Sequence, residues 1–398
     1  MFSFIFAQRL FFLFTFLIVT LNYGCQEPIV RPGRNSCSPP IADSFWQPAN
    51  TNESGFSAET FCNVLREYVE KNNRLHSVLI ERHGKLIAEI YHNGKDSPLS
   101  IRYGFRLPFD GESTFDKETL HDVRSVSKSV VSLLFGIALE KKLIPEIDAS
   151  VLSSFPELDD LGSVQHRSVT WRHLLTMSGG LDWKEWGRGF LTNDEARLYW
   201  KKDLVRFVFE RPIIEPAGKV FNYNGGGTSV LAEILTKETE KSLDELAAEW
   251  LFHPIGINEY EWVKDRYGRA LAFGGLRLRP RDMLKLGRLM LNGGIWEKKQ
   301  IVPNQWIMDS LKPHISTNIT MLSGDESPVK YGYQWWIGET YLPNRRVSWQ
   351  AALGNGGQRI YIVPDLDLVV VTTAGEYGSA GIGKEIGMLL DKIIATAN

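Results

Sequence analysis

Two predicted β-hairpins, one near each end of the chain, constrain its fold more than any other feature. Residues 77–91 hold two β-like runs around a glycine turn, and residues 358–373 hold two more around a Pro-Asp turn. A helical repeat lies outside each hairpin, over 58–71 and over 382–393. We therefore predict that both ends of the chain complete one antiparallel sheet with helices packed on it, an α/β (α+β) fold.

The stretch between the hairpins is predicted to add a second lobe. With 398 residues, 43% of them hydrophobic, the chain can bury a large core. Helical patterns dominate about 121–254, which we predict to be a mostly helical lobe. The sheet lobe is predicted to comprise about residues 56–120 and 255–398. Both lobes are predicted to belong to one domain that spans 56–398. Residues 25–55 are rich in Pro, Asn and Ser and are predicted to be a linker or wrapping arm.

The first 24 residues differ in kind from the rest and are predicted to be a signal peptide. Arg9 is followed by the apolar run 10–20, which is typical of secretory signals. An uncleaved anchor is the alternative, because residues 2–7 would lengthen the apolar run. Cys25 lies in a loose lipoprotein processing pattern. We therefore predict export to a bacterial periplasm or cell envelope, with a membrane tether through a lipidated Cys25.

Charge and cysteine content exclude several classes of partner. A formal charge of −2, with both signs mixed along the chain, leaves no basic stripe for a phosphate backbone, so we expect no nucleic-acid partner. The chain has three cysteines and no CxxC pair, and its histidines are scattered. We therefore predict no metal site and no cofactor. Cys37 and Cys62 are able to pair in an oxidising compartment.

A serine and a lysine one helical turn apart form the candidate catalytic pair. Apolar residues recur at helical spacing over 126–137, and Ser125 and Lys128 lie on the other face within reach of each other. Backbone N–H groups at a helix start favour negative charge beside such a serine. The serine hydroxyl needs a base to take its proton. A lysine serves as that base only if burial or neighbouring positive charge lowers the pKa of its amine, and the apolar helix favours burial of Lys128.

The S-x-x-K pattern also has a simpler interpretation, an exposed serine and a solvated lysine on an ordinary helix. A second copy, from Ser327 to Lys330, lies in a polar loop with no helical pattern after it. The pattern by itself therefore does not identify a site.

Seven segments that follow one another along the chain place the first S-x-x-K copy, Ser125 to Lys128, within a larger pattern. They include a Tyr-x-Gly segment, a Trp-Arg-His-Leu-Leu-Thr-Met-Ser-Gly-Gly-Leu segment and a short Ala-Leu-Gly strand. The seven segments are 124–129, 171–181, 223–225, 273–276, 281–283, 331–336 and 352–354. Together they resemble the serine β-lactamase and penicillin-binding superfamily, in particular its class C β-lactamase-like esterases, D-aminopeptidases and 6-aminohexanoate-dimer hydrolase-type amidases.

This resemblance implies a β-lactamase/transpeptidase-like fold and a set of residue roles. Ser125 would be the nucleophile of an acyl-enzyme reaction, and Lys128 and Tyr223 would handle its proton. The backbone N–H of Ser125, with another from the strand near Gly354 and Asn355, would hold the oxyanion. Which of Lys128 and Tyr223 is the base stays open, and a tyrosine in this position can also be an ordinary packed aromatic.

Two positions depart from the family pattern. Gly225 stands where the family often has Asn or Ser, so its side-chain hydrogen bond is missing, and the glycine is expected to allow a close backbone approach in the binding site. Ala352 stands where β-lactamases and D,D-peptidases carry a cation for a substrate carboxylate. Trp183 and Trp186 are predicted either to wall an apolar substrate cleft or to be core residues.

These observations favour a serine hydrolase acting on a small ester, amide or peptide-like substrate. The missing cation at Ala352 disfavours the alternatives of β-lactamase or D,D-peptidase activity. It leaves open a catalytically silent relative that binds penicillin or peptidoglycan fragments. A Ser-His-Asp hydrolase is disfavoured because the chain contains no G-x-S-x-G segment, and His173 is predicted to be a structural hydrogen-bonding residue.

Overall fold

A computed structural model describes residues 37–71, 74–101, 111–185, 192–320 and 327–397. The predicted signal peptide, Cys25 and the first part of the predicted arm lie outside the described residues. Within the described part, no helix has both the length and the apolar character needed to span a bilayer. The same residues contain no group of three or more His, Cys, Asp or Glu side chains arranged to hold a metal ion.

The described residues form eleven α-helices. Five of these are single turns or little more, because the chain between the main helices bends at Gly, Pro and capping residues. The helices are α1 (Ala58–Leu65), α2 (Val126–Glu140), α3 (Val164–Arg167), α4 (Trp171–Leu175), α5 (Asp194–Leu198), α6 (Leu204–Phe209), α7 (Gly225–Thr239), α8 (Leu243–Ala247), α9 (Pro280–Leu291), α10 (Asn304–Ser310) and α11 (Ala380–Thr396). Single π-helical turns, Arg66–Glu70 and Ala248–Phe252, extend α1 and α8.

Sixteen strands are present in the same residues. They are β1 (Gln47–Pro48), β2 (Leu75–Arg82), β3 (Lys85–Tyr91), β4 (Asn93–Asp96), β5 (Gly111–Thr114), β6 (His121–Asp122), β7 (Glu261–Trp262), β8 (Leu276–Leu278), β9 (Ile295–Trp296), β10 (Lys299–Gln300), β11 (Ile315–Ser316), β12 (Lys330–Tyr331), β13 (Trp336–Leu342), β14 (Arg345–Gly354), β15 (Gln358–Val363) and β16 (Leu368–Ala374).

Nine strands form the main sheet, in the order β1-β3-β2-β16-β15-β14-β13-β12-β11. The two predicted hairpins are β2-β3 and β15-β16, and they meet through the antiparallel pair β2-β16, where Ile80 lies opposite Val370. The prediction that the two ends of the chain complete one sheet flanked by helices is confirmed. One detail is wrong: β1 pairs with β3 in parallel, so the sheet is mixed rather than purely antiparallel.

The central strands are buried on both faces because helices cover both sides of the sheet. Every residue of β2 and β16 is buried. Helices α1 and α11 contribute to the hydrophobic cluster on one side, and α2, α7 and α9 contribute to the cluster on the other. This explains the near-continuous Val and Ile run of β16, since a strand covered on both faces has no need of alternating polar residues. The sheet and α2 together form the rigid base beneath Ser125.

The described part of the N-terminal arm is anchored to the domain at several points. A disulfide joins Cys37 to Cys62 of α1, with 5.6 Å between their Cα atoms. The Trp46 ring is buried, and Arg281 of α9 forms an ion pair with Asp43. This segment therefore wraps against the domain.

Candidate active site

A backbone reversal at Arg124 brings Ser125 to the start of α2. Arg124 has φ of +51°, a conformation that costs a residue with a side chain on the order of 1 kcal/mol. The backbone N–H of Arg124 donates to Asp122 Oδ1 at 3.1 Å, and its guanidinium lies 4.2 Å from the Tyr377 ring centroid. These contacts hold the reversal, so the half-buried Ser125 occupies the N-cap position of α2.

The lysine one turn further on is enclosed and has three hydrogen-bond acceptors. Lys128 is 1% exposed. Its Nζ lies 3.1 Å from Ser125 Oγ, 2.9 Å from Glu195 Oε2 and 2.8 Å from the Phe273 carbonyl oxygen. An ammonium has three N–H donors, and these three acceptors use all of them. This arrangement satisfies every N–H group of a protonated lysine.

The charge state of Lys128 differs from the prediction. Burial lowers the pKa of this amine, but the negative charge of Glu195, with smaller contributions from Tyr223 and Glu185, outweighs burial and raises the pKa above its ordinary value. The predicted desolvation is present, and the predicted lowering of the pKa is wrong. The reason is an acidic neighbour more than sixty residues away in the sequence, which no local pattern reveals.

Tyr223 reaches the same place from the segment that precedes α7. Its side chain is 8% exposed and stacks on Trp336 with 5.8 Å between ring centroids. The ring centroid lies 4.9 Å from Lys128 Nζ, and the phenol hydrogen-bonds to Ser125. Burial raises the pKa of Tyr223 above its ordinary value, against the opposing effects of Lys128 and of that hydrogen bond. The structure therefore brings the three predicted catalytic residues together.

Two glutamates complete the cluster, and the sequence interpretation did not identify either. Glu195 of α5 forms the ion pair with Lys128. Glu185 accepts hydrogen bonds from Trp183 Nε1 at 3.0 Å and from the Gly225 backbone N–H at 2.8 Å. Burial, then the adjacent charge of Glu195, raises the pKa of Glu185 well above its ordinary value. The sequence signal connected with this pair is the glycine at position 225, where the family often has Asn or Ser. The backbone N–H of Gly225 donates to Glu185, one of the two carboxyl groups.

Gln334 is a third residue whose role was missed, and it links elements that carry the site. Its Nε2 donates to the carbonyl oxygens of Leu174 and Leu175, and its Oε1 accepts from Thr228 Oγ1 at 3.0 Å. Its carbonyl oxygen accepts from Ser129 Oγ at 2.7 Å. The side-chain amide of Gln334 thereby links α4 to α7, and its backbone carbonyl oxygen adds a contact with α2. His173 contributes only to the cap of α4, where its Nδ1 accepts from the Thr170 backbone N–H.

The end of β14 lies directly against the segment before Ser125. A Cβ on Gly354 would lie 2.2 Å from the Val123 carbonyl oxygen, so only glycine permits this approach. The next residue, Asn355, is exposed, and its side-chain oxygen accepts from the Gly378 backbone N–H at 2.8 Å. Ala352 is fully buried in the core and carries no charge toward the cleft. The strand predicted to supply an oxyanion donor is thus next to the nucleophile segment.

A cavity of about 530 Å³ opens beside Tyr223. Its lining mixes aromatic, aliphatic and polar side chains: Trp183, Lys184, Glu185, Lys219, Val220, Phe221, Asn222, Tyr223, Ser316, Asn318 and Ile319. Trp183 lines this cavity, and it is also 3% exposed and packs in the core. Trp186 lies outside the described residues.

Comparisons with known proteins agree with this arrangement. The beta-lactamase family model matches residues 76–384. The 6-aminohexanoate-dimer hydrolase of Paenarthrobacter ureafaciens is 27% identical over 155 residues, which cover 38% of this chain and 38% of that relative.

Two solved structures share the fold. One is EstCE1, a hydrolase with promiscuous acyltransferase activity (16% identity, TM-score 0.64, covering 86% of this chain and 99% of that one). The other is a penicillin-binding protein homologue from Pyrococcus abyssi (17% identity, TM-score 0.60, covering 86% and 79%). With the family model matched over residues 76–384, this chain belongs to the beta-lactamase family.

Proposed function

We propose that this protein hydrolyses a small ester or amide through an acyl-enzyme on Ser125. The observation that carries the proposal is the convergence of three groups from separate segments: Ser125 Oγ lies 3.1 Å from Lys128 Nζ and is hydrogen-bonded to the Tyr223 phenol. A nucleophile, a base and a proton relay within hydrogen-bond distance are the requirements of acyl transfer.

The reaction runs in two halves. Once the Lys128 and Tyr223 pair has lost one proton to solvent, Ser125 Oγ attacks the substrate carbonyl while its own proton passes to that pair and then to the leaving group. The oxyanion is held by the backbone N–H of Ser125 and by one from the end of β14 near Gly354 and Asn355. In the second half the same pair takes a proton from water, which attacks the acyl carbonyl and releases the acid.

The substrate we propose is small and need not carry a carboxylate. The cavity beside Tyr223 offers apolar surface from Trp183, Phe221 and Ile319, and Ala352 supplies no cation. In a pocket without a fixed counter-charge, a substrate carboxylate adds little favourable binding free energy, and its desolvation is still unfavourable. This favours short esters and linear amides over penicillins and D-Ala-D-Ala peptides.

A substrate panel tests this proposal. With p-nitrophenyl acetate and butyrate, nitrocefin, D-alanine p-nitroanilide and a linear 6-aminohexanoate dimer, we expect kcat/KM for the short esters to exceed that for nitrocefin by at least about tenfold. The reverse order supports β-lactamase activity. Stoichiometric labelling by a fluorescent penicillin with no turnover of any substrate supports the silent sensor.

We further propose that the protein is exported and tethered to a bacterial envelope through Cys25. The apolar run 10–20 supports export. The Cys37–Cys62 disulfide also supports it, since such bonds persist in oxidising compartments.

Expression of the full chain in a Gram-negative host tests the export proposal. We expect intact-mass analysis of the membrane fraction to show a chain that begins at Cys25 with added lipid, and the Cys25→Ala variant to lose that lipid. An unprocessed chain in the cytoplasm with alkylatable Cys37 and Cys62 would contradict the proposal.

A further inference from the structure

Gly225 is a glycine because another residue occupies the space of its side chain. A Cβ at this position would lie 2.3 Å from Glu195 Oε2, 3.0 Å from Glu195 Cδ and 3.1 Å from Glu195 Cγ. Gly225 is not among the residues with positive φ, so its backbone conformation is open to any residue. The Glu195 side chain therefore explains, on steric grounds, why position 225 is a glycine and departs from the family pattern.

The atom that fills this space is the atom that binds Lys128. Glu195 Oε2 lies 2.9 Å from Lys128 Nζ. Its side chain is 24% exposed, and it contacts Glu185 through a carboxyl–carboxyl hydrogen bond that raises the pKa of Glu185. Glu185 in turn accepts from the Gly225 N–H. The absence of a side chain at 225 thus makes room for the Glu195 carboxylate beside the amine, and Glu185 lies next to it.

We propose that Glu195, seated in the space left by Gly225, is a positioning residue that holds Lys128 as an ammonium in the resting enzyme and sets the pH at which Ser125 becomes acylated. This inference rests on the proposed acyl-enzyme function. Glu195 acts through Lys128 and does not touch the reacting carbonyl.

The sign of the effect follows from the charges that face the amine. Lys128 on α2 faces Glu195 from α5, Glu185 from the loop before residue 186, and Tyr223 from the segment before α7. Loss of the Glu195 charge removes stabilisation of the ammonium, so the pKa of Lys128 falls. The pKa of Tyr223 falls too, because Glu195 also raises it. Whichever of the two takes the proton from Ser125, the neutralised variant reaches its active form at lower pH.

The pH profile of esterase kcat/KM tests the inference in four proteins: wild type, Glu195→Gln, Gly225→Ala and the double variant. In Gly225→Ala the methyl group displaces the flexible Glu195 carboxylate while the backbone stays in place. We expect the wild-type rate to keep rising in the alkaline range. In each single variant the alkaline limb should move at least about one pH unit lower. The double variant should show no further shift, because both changes remove the same contact.

Two matched variants serve as controls. A Cβ on Gly227, two residues along the same helix, meets only ordinary contacts at 3.6 Å or more, so Gly227→Ala should keep the wild-type profile. Glu238 lies on the same helix and is exposed, so Glu238→Gln should also keep the wild-type pH profile.

Several outcomes would overturn the inference. An unshifted profile in folded Glu195→Gln, or additive shifts in the double variant, overturns it while the proposed function stands. A wild-type enzyme that neither turns over esters nor reacts with a fluorophosphonate at any pH overturns both.

Discussion

A Ser125→Ala variant is expected to lose at least about 10³-fold in ester kcat/KM and to lose all labelling by a fluorophosphonate, because the atom that forms the acyl bond is gone. The wild-type adduct should map to the peptide that contains Ser125. Since this residue is half-buried at the start of α2 and its hydroxyl is not part of the core, the variant should keep its thermal midpoint within a few degrees. Intact-mass spectrometry after labelling, with p-nitrophenyl acetate turnover, measures both effects.

The chain supplies its own control for this experiment. Ser327 begins the second S-x-x-K copy, but the structure places it exposed, in an irregular segment that leads into β12 rather than a helix. Ser327→Ala should therefore keep full turnover and labelling. Retention of the adduct in Ser125→Ala, or its loss in Ser327→Ala, would refute the assignment of the nucleophile.

A Lys128→Met variant is expected to lose about 10²- to 10⁴-fold in kcat/KM and also about 3 kcal/mol of stability. The activity falls because the Lys128 and Tyr223 pair that handles the Ser125 proton has lost its amine. The stability falls because the Glu195 carboxylate keeps its charge in a partly buried site without its cation, and the Phe273 carbonyl oxygen loses a donor. Denaturant unfolding followed by fluorescence, alongside ester turnover, measures the two losses separately.

A second substitution separates the fold from the chemistry. In Lys128→Met/Glu195→Gln the unpaired charge is gone, so we expect most of the stability to return while turnover stays low. Lys330→Met, in the second S-x-x-K copy, should be neutral in both assays because Lys330 is exposed. If the double variant regained turnover together with stability, Lys128 would be a structural residue and the proposed mechanism would be wrong.

Periodicity predicted the framework well. The runs 77–91 and 358–373 became adjacent hairpins because their β-branched residues bury on a sheet, and the repeat over 382–393 became α11. The parallel pairing of β1 with β3 was missed, because a two-residue strand is too short to show an alternation of apolar and polar residues. Local patterns predict elements that are long enough to show a repeat, and they fail for pairings that depend on where the arm wraps.

The candidate site was only partly predictable. Ser125 and Lys128 are one helical turn apart, so their contact is local, and Tyr223 was found through the order of the motif segments. Glu195 was missed because it lies on a five-residue helix with no distinctive pattern. Gln334 lies in a predicted landmark, but its links to three helices exist only in the folded chain.

Residue spacing along the chain was enough to determine the hairpins and the helix that follows Ser125, because these depend on neighbours within one turn or one strand. The choice of Ser125 and Lys128 over the second S-x-x-K copy came from the order of the motif segments along the sequence. Tertiary structure alone decided the protonation of that lysine. Its charge state depends on electrostatic energy, which falls off with distance in space rather than in sequence. The Glu195 carboxylate 2.9 Å away, together with Tyr223 and Glu185, outweighs the effect of burial on the pKa of Lys128.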